Sequence, residues 1–361
     1  MMSQARVFYS VLNMGLGHAA RSLPILREFK KRNWQILVGS SGRALAFLRR
    51  ELPDSQFIQL PDYGITYSRN GWLLPKLAVQ LPTVLTRIWQ ENKSCQKIVG
   101  DFSPDLIFSD HCYGIYHPGI PSYFLSHQIY FAMPAGWDFL QRLPAQFNFH
   151  YHRHFTSVLI PDALSAGVGL LSGELSRTAT NGSQYSHCGI LSSIAKQSLA
   201  EDVDVLISIS GPEPQRTVFE ELALKQVESV PGKIVVVLGK SESIAPIYES
   251  ERLQIYSHLP RQQMEQFYNR AKLIVTRPGY TSFMELAELG KPALLIPTPG
   301  QTEQLYLARR AMQNRWFYCV QQQLDLARDI EIARSYPGLF LPDATQKTIA
   351  AIFNRILPSA A

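Results

Sequence analysis

The chain is 361 residues long, more than one hydrophobic core usually supports, so two domains are expected. Hydrophobic residues at 46% and charged residues at 18% exclude a disordered chain. A net charge of +6 and a pI near 9.1 favour anionic partners, whether nucleotide phosphates, nucleic acid or an acidic membrane surface, without choosing among them.

Four scattered cysteines, Cys95, Cys112, Cys188 and Cys319, form no CxxC pair, so neither a zinc site nor a disulfide framework is suggested and reduced cytosol is the simplest home. There is no signal-peptide pattern and no apolar stretch of about eighteen residues, so a soluble or peripheral protein is expected.

Residues 6 to 12 make the first strand, and Asn13-Met14-Gly15-Leu16-Gly17-His18 forms a glycine turn before a helix from about Ala19 to Lys31. Alone this is a weak dinucleotide fingerprint. The second strand, QILVGSS, ends in Gly and Ser where a nicotinamide enzyme carries an acid for the ribose, which argues against an oxidoreductase. His18, with an ordinary pKa of about 6.5, suits a general base; the plainer alternative is a helix-start histidine that merely contacts the turn.

A third strand is expected at residues 56 to 60. The stretch that follows mixes Pro, aromatic and aliphatic residues with Lys76 and Arg87, as a surface helix able to dip into an anionic bilayer does, or as helices packing on the sheet do. Strand DLIFSD ends in Asp110-His111 and strand SYFLSH in His127-Gln128. These polar groups at carboxyl edges converge with His18, and Asp110 or His127 is placed to orient it, to replace it as base or to bind substrate. His150, His152 and His154 invite a metal reading, but with no evident carboxylate alongside they fit an amphipathic packing helix. Strand SVLIPD is expected to be the last of the first domain. Ser165 to Ser183 is small, polar and Gly-rich, and the domain crossover is placed near Gly189, giving domains 1–188 and 189–361.

The second domain opens with strand DVLISIS and the loop Ser210-Gly211-Pro212-Glu213-Pro214-Gln215-Arg216, a small-residue entry to a helix that suits phosphate. Asp202-Val203-Asp204 is formally a DxD, but it opens the strand on the edge away from ligands and reads as a solvated strand start. Strands KIVVVLGK and LQIYSHL, the turn His258-Leu259-Pro260 and the helix RQQMEQFYNRA follow.

The most informative stretch is TRPGYTSFMELAELGKPALLIPTPGQTEQ, residues 276 to 304, a strand, a helix and a strand of a parallel sheet. Gly279, with Tyr280 beside it, lets backbone approach a ligand at the helix start, and Thr281 and Ser282 sit where they cap the helix or contact an anion. Glu285 shares the Thr281 face by i, i+4 spacing, placed to accept from ribose hydroxyls. Gly300, Gln301, Thr302, Glu303 and Gln304 offer groups suited to sugar hydroxyls. Diphosphate, ribose and hexose together describe a nucleotide sugar.

Arg277, Gly279, Thr281, Glu285, Gly290, Pro292, Pro297 and Gln304, in this order, resemble the donor-binding motif of family 28 glycosyltransferases, the group of the peptidoglycan N-acetylglucosamine transferase and the monogalactosyldiacylglycerol synthases. The resemblance implies the α/β GT-B fold: two Rossmann-like domains with parallel sheets facing across a cleft, the donor held by the C-terminal one and a C-terminal helix crossing back to the first. It makes the Gly17-His18 turn the cleft-facing glycine loop and the His258-Leu259 turn a nucleobase site. Asn13-Met14 in place of opening glycines, and HCYGIYHPGIP without a Gly-Gly run, depart from the peptidoglycan enzyme.

The expected activity is therefore an inverting, metal-independent transfer from a UDP-sugar to a hydroxyl acceptor, lipid- or glycan-linked, with no cofactor, in the cytoplasm or at the inner face of the membrane. Arg277 stands where retaining enzymes of this fold commonly carry a second Glu. His18 is the expected base. Ser210, Gly211, Arg216 and the Gly279–Thr281 helix start are the expected diphosphate site. The alternatives are a non-hydrolysing UDP-sugar 2-epimerase, which needs more charged groups around the sugar than are found, and a non-catalytic nucleotide-sugar-binding protein. Dispersed Lys and Arg residues argue against nucleic acid.

Overall fold

The computed structural model describes residues 4–357 apart from 65–72, 135, 138, 140, 179–183, 241–244 and 321–322, together with the side chains of 73–78, so Lys76 and the end of the Gly-rich stretch lie outside it. The chain divides into two compact units.

The first unit strings together β1 (Arg6–Val11), α1 (Leu16–Lys31), β2 (Gln35–Ser40), α2 (Gly42–Glu51), β3 (Gln56–Gln59), α3 (Leu73–Phe102), β4 (Leu106–Asp110), β5 (Ser122–Leu125), α4 (Arg142–His152), β6 (Ser157–Ile160), a small hairpin of β7 (Leu164–Ser165) and β8 (Val168–Gly169), and β9 (Tyr185–His187). Its sheet runs β3-β2-β1-β4-β5-β6-β9 with every neighbour parallel. Strands covered on both faces read as apolar runs, and LIFSD of β4 is buried throughout. Phe8, Ile107, Phe124 and Val158 form the centre of one core layer.

Two boundaries differ from expectation. The last strand of this sheet is β9, pairing with β6, and not SVLI; three residues are too few for a periodic signal. Helix α1 begins at Leu16, so His18 stands inside the helix and not ahead of it.

The second unit, Ile194–Asp343, contains β10 (Val203–Ser208), α5 (Gln215–Gln226), β11 (Ile234–Val237), β12 (Pro246–Glu249), β13 (Leu253–Tyr256), α6 (Arg261–Arg270), β14 (Ala271–Thr276), α7 (Tyr280–Leu289), β15 (Ala293–Leu295), α8 (Thr302–Gln313), β16 (Tyr318–Cys319) and α9 (Leu326–Ala333). Its sheet order is β12-β13-β11-β10-β14-β15-β16, parallel except for β12. Val205, Val236, Val275 and Leu294 share its core. Helix α7 stops at Gly290, whose φ of 67° lies in the left-handed region and whose missing side chain leaves room for Phe340.

The break between units falls after Ser193 where Gly189 was expected, and helix α10 (Ala344–Ile356) belongs to the first unit. Phe353 packs edge-on against Phe29 of α1 at 4.7 Å, and the Arg32 guanidinium covers the same ring at 4.6 Å. Gly189 is itself part of this contact: a Cβ there would lie 2.2 Å from Thr348 Oγ1 of α10. The C-terminal helix thus returns to the first unit, and its anchor is one buried aromatic. Phe353→Ala is expected to destabilise that unit by about 3–5 kcal/mol, the usual range for deleting a buried ring, measured by urea unfolding.

Candidate functional site

In each sheet the order of the parallel strands reverses direction at one place, and ligands of open α/β sheets bind at the carboxyl ends of strands there. In the first unit the reversal lies between β1 and β4, in the second between β10 and β14.

At the first switch point Asp110, the last residue of β4, is completely buried and accepts from three groups of α1. Arg21 grips it with both ends of its fork, Nε at 2.8 Å from Oδ2 and a terminal nitrogen on Oδ1. Ser22 Oγ donates to Oδ2 at 3.0 Å, and His18 Nδ1 lies 2.7 Å from Oδ1. Residues 18, 21 and 22 are i, i+3 and i+4 on one helix face, so the early start of α1 is what brings them together. Burial alone raises the Asp110 carboxyl, but Arg21 and then His18 outweigh it and hold the group well below the usual carboxylate range.

Arg21 Nη2 also lies 3.0 Å from His18 Nδ1, but it donates to Asp110 Oδ1, and the ionised carboxylate, at the shorter 2.7 Å, only accepts, so the proton between it and His18 sits on Nδ1. That leaves the lone pair of His18 on Nε2. Burial and the neighbouring Arg21 push the imidazole below its ordinary 6.5 against the pull of Asp110. Arg21 Nη1 lies 3.0 Å from His127 Nδ1 and donates to it, so the His127 proton is on Nε2. His111 completes the cluster, its ring edge-on to His18 at 5.1 Å with a left-handed φ of 61°, rare for a residue with a side chain. Gly17 lies half-buried in the first turn of α1, after Gly15 at φ 81°. Asn13, standing where the resembled family has glycine, is a strut: it donates to Asp62 at 2.6 Å and accepts from Ala44 N–H at 3.2 Å.

At the second switch point Ser210 and Gly211 follow β10, and Gly279 precedes α7 with no side chain capping the helix, so Tyr280 and Thr281 stand in a first turn without a capping side chain. Glu285, buried on α7, is ion-paired with Arg261, the first residue of α6, just after the half-buried His258 and buried Leu259. Gln301 is the N-cap of α8, and Thr302 and Glu303 lie in its first turn.

Three residues expected at the ligand are instead used by the fold. Arg277 is buried, with its terminal nitrogens on the carbonyls of Ile296, Pro297 and Gln215 at 2.9–3.0 Å and its guanidinium over the Phe219 ring; burial brings its pKa down to about 10. Arg216 is neutralised by Glu213 and Glu220 at 2.5 and 2.6 Å and also bonds the Leu238 carbonyl. The Gln304 carbonyl accepts from Thr298 N–H at 2.7 Å and closes the turn. Asp202 and Asp204 pair with Arg270 and Lys272 at the amino edge, and Asp202 is held at about 2 chiefly by its Arg270 hydrogen bonds. His152 points into the core, where burial lowers it to about 3. Among the described residues no cluster of His, Cys, Asp or Glu is arranged to hold a metal. Arg21 and Arg261 are the partners that sequence reading missed; i, i+3 spacing from His18 would have revealed the first.

Residues 215–328 match the glycosyltransferase family 28 C-terminal domain. The UDP-N-acetylglucosamine–N-acetylmuramyl-(pentapeptide) pyrophosphoryl-undecaprenol N-acetylglucosamine transferase of Flavobacterium psychrophilum is 25% identical over 131 residues, covering 32% of this chain and 35% of that protein. The enzyme of the same name from Cytophaga hutchinsonii is 28% identical over 125 residues, covering 30% and 33%. The chain thus spans about a third of the curated relatives' length. Solved structures align along nearly the whole chain: the calicheamicin glycosyltransferase CalG4 (TM-score 0.63, 13% identity, 99% of this chain and 100% of the other) and Acinetobacter baumannii MurG (0.52, 13%, 97% and 99%). Streptomyces sp. SF2575 glycosyltransferase SsfS6 complexed with thymidine diphosphate also aligns (0.59, 12%, 99% and 100%).

¹⁵N spectra of the histidine-labelled protein at pH 7 are expected to show His18 neutral with its proton on Nδ1, and its midpoint on acidification to lie below 6.5. A charged His18 at pH 7, or an Nε2–H tautomer, would contradict it.

Proposed function

We propose, for a chain whose second unit carries a glycosyltransferase family 28 C-terminal domain on a GT-B fold, that it transfers a hexose or N-acetylhexosamine from a UDP-sugar to a hydroxyl acceptor with inversion and without a metal. The observation that carries this reading is the buried Arg21–Asp110–His18 chain, which fixes a neutral imidazole with its lone pair on Nε2.

In the reaction, His18 Nε2 takes the proton of the acceptor hydroxyl as its oxygen attacks the anomeric carbon. The bond from that carbon to the diphosphate oxygen breaks, and its electron pair leaves with the nucleoside diphosphate. The imidazolium that forms is stabilised by Asp110, which Arg21 keeps ionised, as the charge of a buried carboxylate supports the cation beside it. His127, with its Nε2 proton, is suited to hydrogen-bond the acceptor. One displacement inverts the anomeric centre. The absence of a carboxylate at position 277, filled by a buried arginine, agrees with that outcome.

The departing charge is assigned to backbone N–H groups: the Ser210-Gly211 loop before α5 and the Gly279–Thr281 start of α7, the latter without a capping side chain. Arg216 and Arg277 are left out of this role, since carboxylates and carbonyls already occupy them. Glu285 is assigned to the ribose hydroxyls, the His258–Leu259 turn to the base, and Gln301, Thr302 and Glu303 to the sugar.

The acceptor is assigned to a lipid-linked glycan at the cytoplasmic face of a membrane. Two features support this. The curated relatives are named for an undecaprenol-linked acceptor, and α3 exposes Val79 and the i, i+4 stripe Leu81, Leu85 and Trp89, with Lys93 over the Trp89 ring at 3.7 Å. No helix of the described residues is long and apolar enough to cross a membrane, so contact would be peripheral.

Two measurements test the reading. His18→Ala is expected to lower kcat by about 10²–10⁴, the usual contribution of a general base, with UDP affinity and Tm near wild type; slow hydrolysis of the UDP-sugar serves as the assay with water as nucleophile. Unchanged turnover would remove His18 from the mechanism. Turnover is also expected to survive excess EDTA, and loss restored by Mg²⁺ or Mn²⁺ would overturn the metal-independent assignment.

A further inference from the structure

The pair between Arg261 and Glu285 goes against two local rules. Arg261 is the first residue of α6, where the helix presents its partial positive end and a cation is disfavoured, and no acidic residue in that turn compensates. The pair is also mostly buried, with side-chain exposures of 14% and 6%, a setting in which desolvation cancels much of the Coulombic gain. An arginine held against the helix dipole in a contact of little net stability is explained by what it does to its partner.

We infer that Arg261 is a specificity-determining positioning residue: it aims the Glu285 carboxylate at the vicinal hydroxyls of a ribonucleoside diphosphate, so that the second unit discriminates ribonucleotides from 2′-deoxyribonucleotides. This rests on the donor reading above, in which Glu285 meets the ribose. A carboxylate has about four lone-pair directions, so the Arg261 bond to Oε1 does not exhaust it. That bond fixes the plane of the group, and a fixed carboxylate accepts from two neighbouring hydroxyls at once, whereas loss of the 2′-hydroxyl forfeits one charged hydrogen bond. Charge gives a second reason. A diphosphate approaching a buried, uncompensated carboxylate is repelled, and Arg261 cancels that repulsion. The pair also joins α6, which follows the turn assigned to the base, to α7, whose start is assigned to the diphosphate.

The test is calorimetric binding of UDP and 2′-deoxy-UDP to the full chain. Wild type is expected to prefer UDP by about tenfold or more, the worth of one hydrogen bond to a charged group. Arg261→Met is expected to bring the ratio near one. If Arg261→Met does not fold, Arg261→Gln, which keeps an N–H donor but not the charge, is measured against the same two outcomes. Equal weakening of both ligands, with the ratio kept, marks a merely structural arginine and overturns the inference, as does a wild type without preference. Glu285→Ala separates the two levels. If it abolishes the preference while Arg261→Met does not, only the Arg261 assignment fails; if it leaves the preference intact, the ribose role of Glu285 fails with it.

Discussion

A fully buried carboxylate cannot stay charged without compensation, and Asp110 sets that constraint for the first unit. Its position is dictated by the sheet, since it ends the strand next to β1 at the point where the chain order reverses. Every satisfying group then has to come from α1, and the face of that helix meets the demand with an imidazole, a guanidinium and a hydroxyl at three consecutive contact positions. Removing the Arg21 cation would be strongly destabilising because the Asp110 charge would be left buried, whereas Arg21 and Ser22 still satisfy the carboxylate when the neutral His18 is removed. The same arrangement fixes the tautomers of His18 and His127, so the stability of the unit and the chemistry available at its switch point rest on one set of bonds.

The second unit solves the opposite problem. On the donor reading proposed above it has to receive negative charge, and its guanidinium groups at the carboxyl edge are already engaged: Arg277 by three carbonyls, Arg216 by two carboxylates. What remains is the uncapped start of α7 and the Gly211 loop, neutral devices that supply N–H donors without a counter-charge to be displaced. A site built of backbone needs rigid support, and the buried Arg277 provides it by tying the first residue of α5 to the two residues that follow β15.

Much of the fold was legible in the sequence because parallel strands buried on both faces read as apolar runs, and because glycine punctuates them: Gly290 ended α7 as expected. What escaped was short or tertiary. Strand β9 is three residues long, and α1 starts three residues before the apolar periodicity does, which moved His18 onto the helix. Of the candidate site, the places of Asp110 at the end of β4 and of Gly279 and Glu285 at the start and middle of α7 were readable from position and spacing. The roles of the arginines were not, because an arginine beside a glycine loop reads as a phosphate ligand until its partners are known, and Glu213, Glu220 and the carbonyls of residues 215, 296 and 297 are brought in by folding.

The four arginines divide along a single physical line. Arg216 is held by carboxylates at i−3 and i+4, and the terminal nitrogens of Arg277 are held by carbonyls that folding brings to it, so the fold accounts for where both side chains lie. Arg21 is buried beside an imidazole that it helps to keep neutral, and Arg261 sits at the wrong end of a helix. Neither placement lowers the energy of its own element. Sequences specify folds by agreement between local preference and tertiary contact, so residues that break this agreement while remaining well ordered mark where something besides stability sets the side chain. Both of these arginines bind a buried carboxylate, and on the proposed reading one supports a base and the other holds a ribose, so that in each unit the cation would act on substrate through the acid it positions.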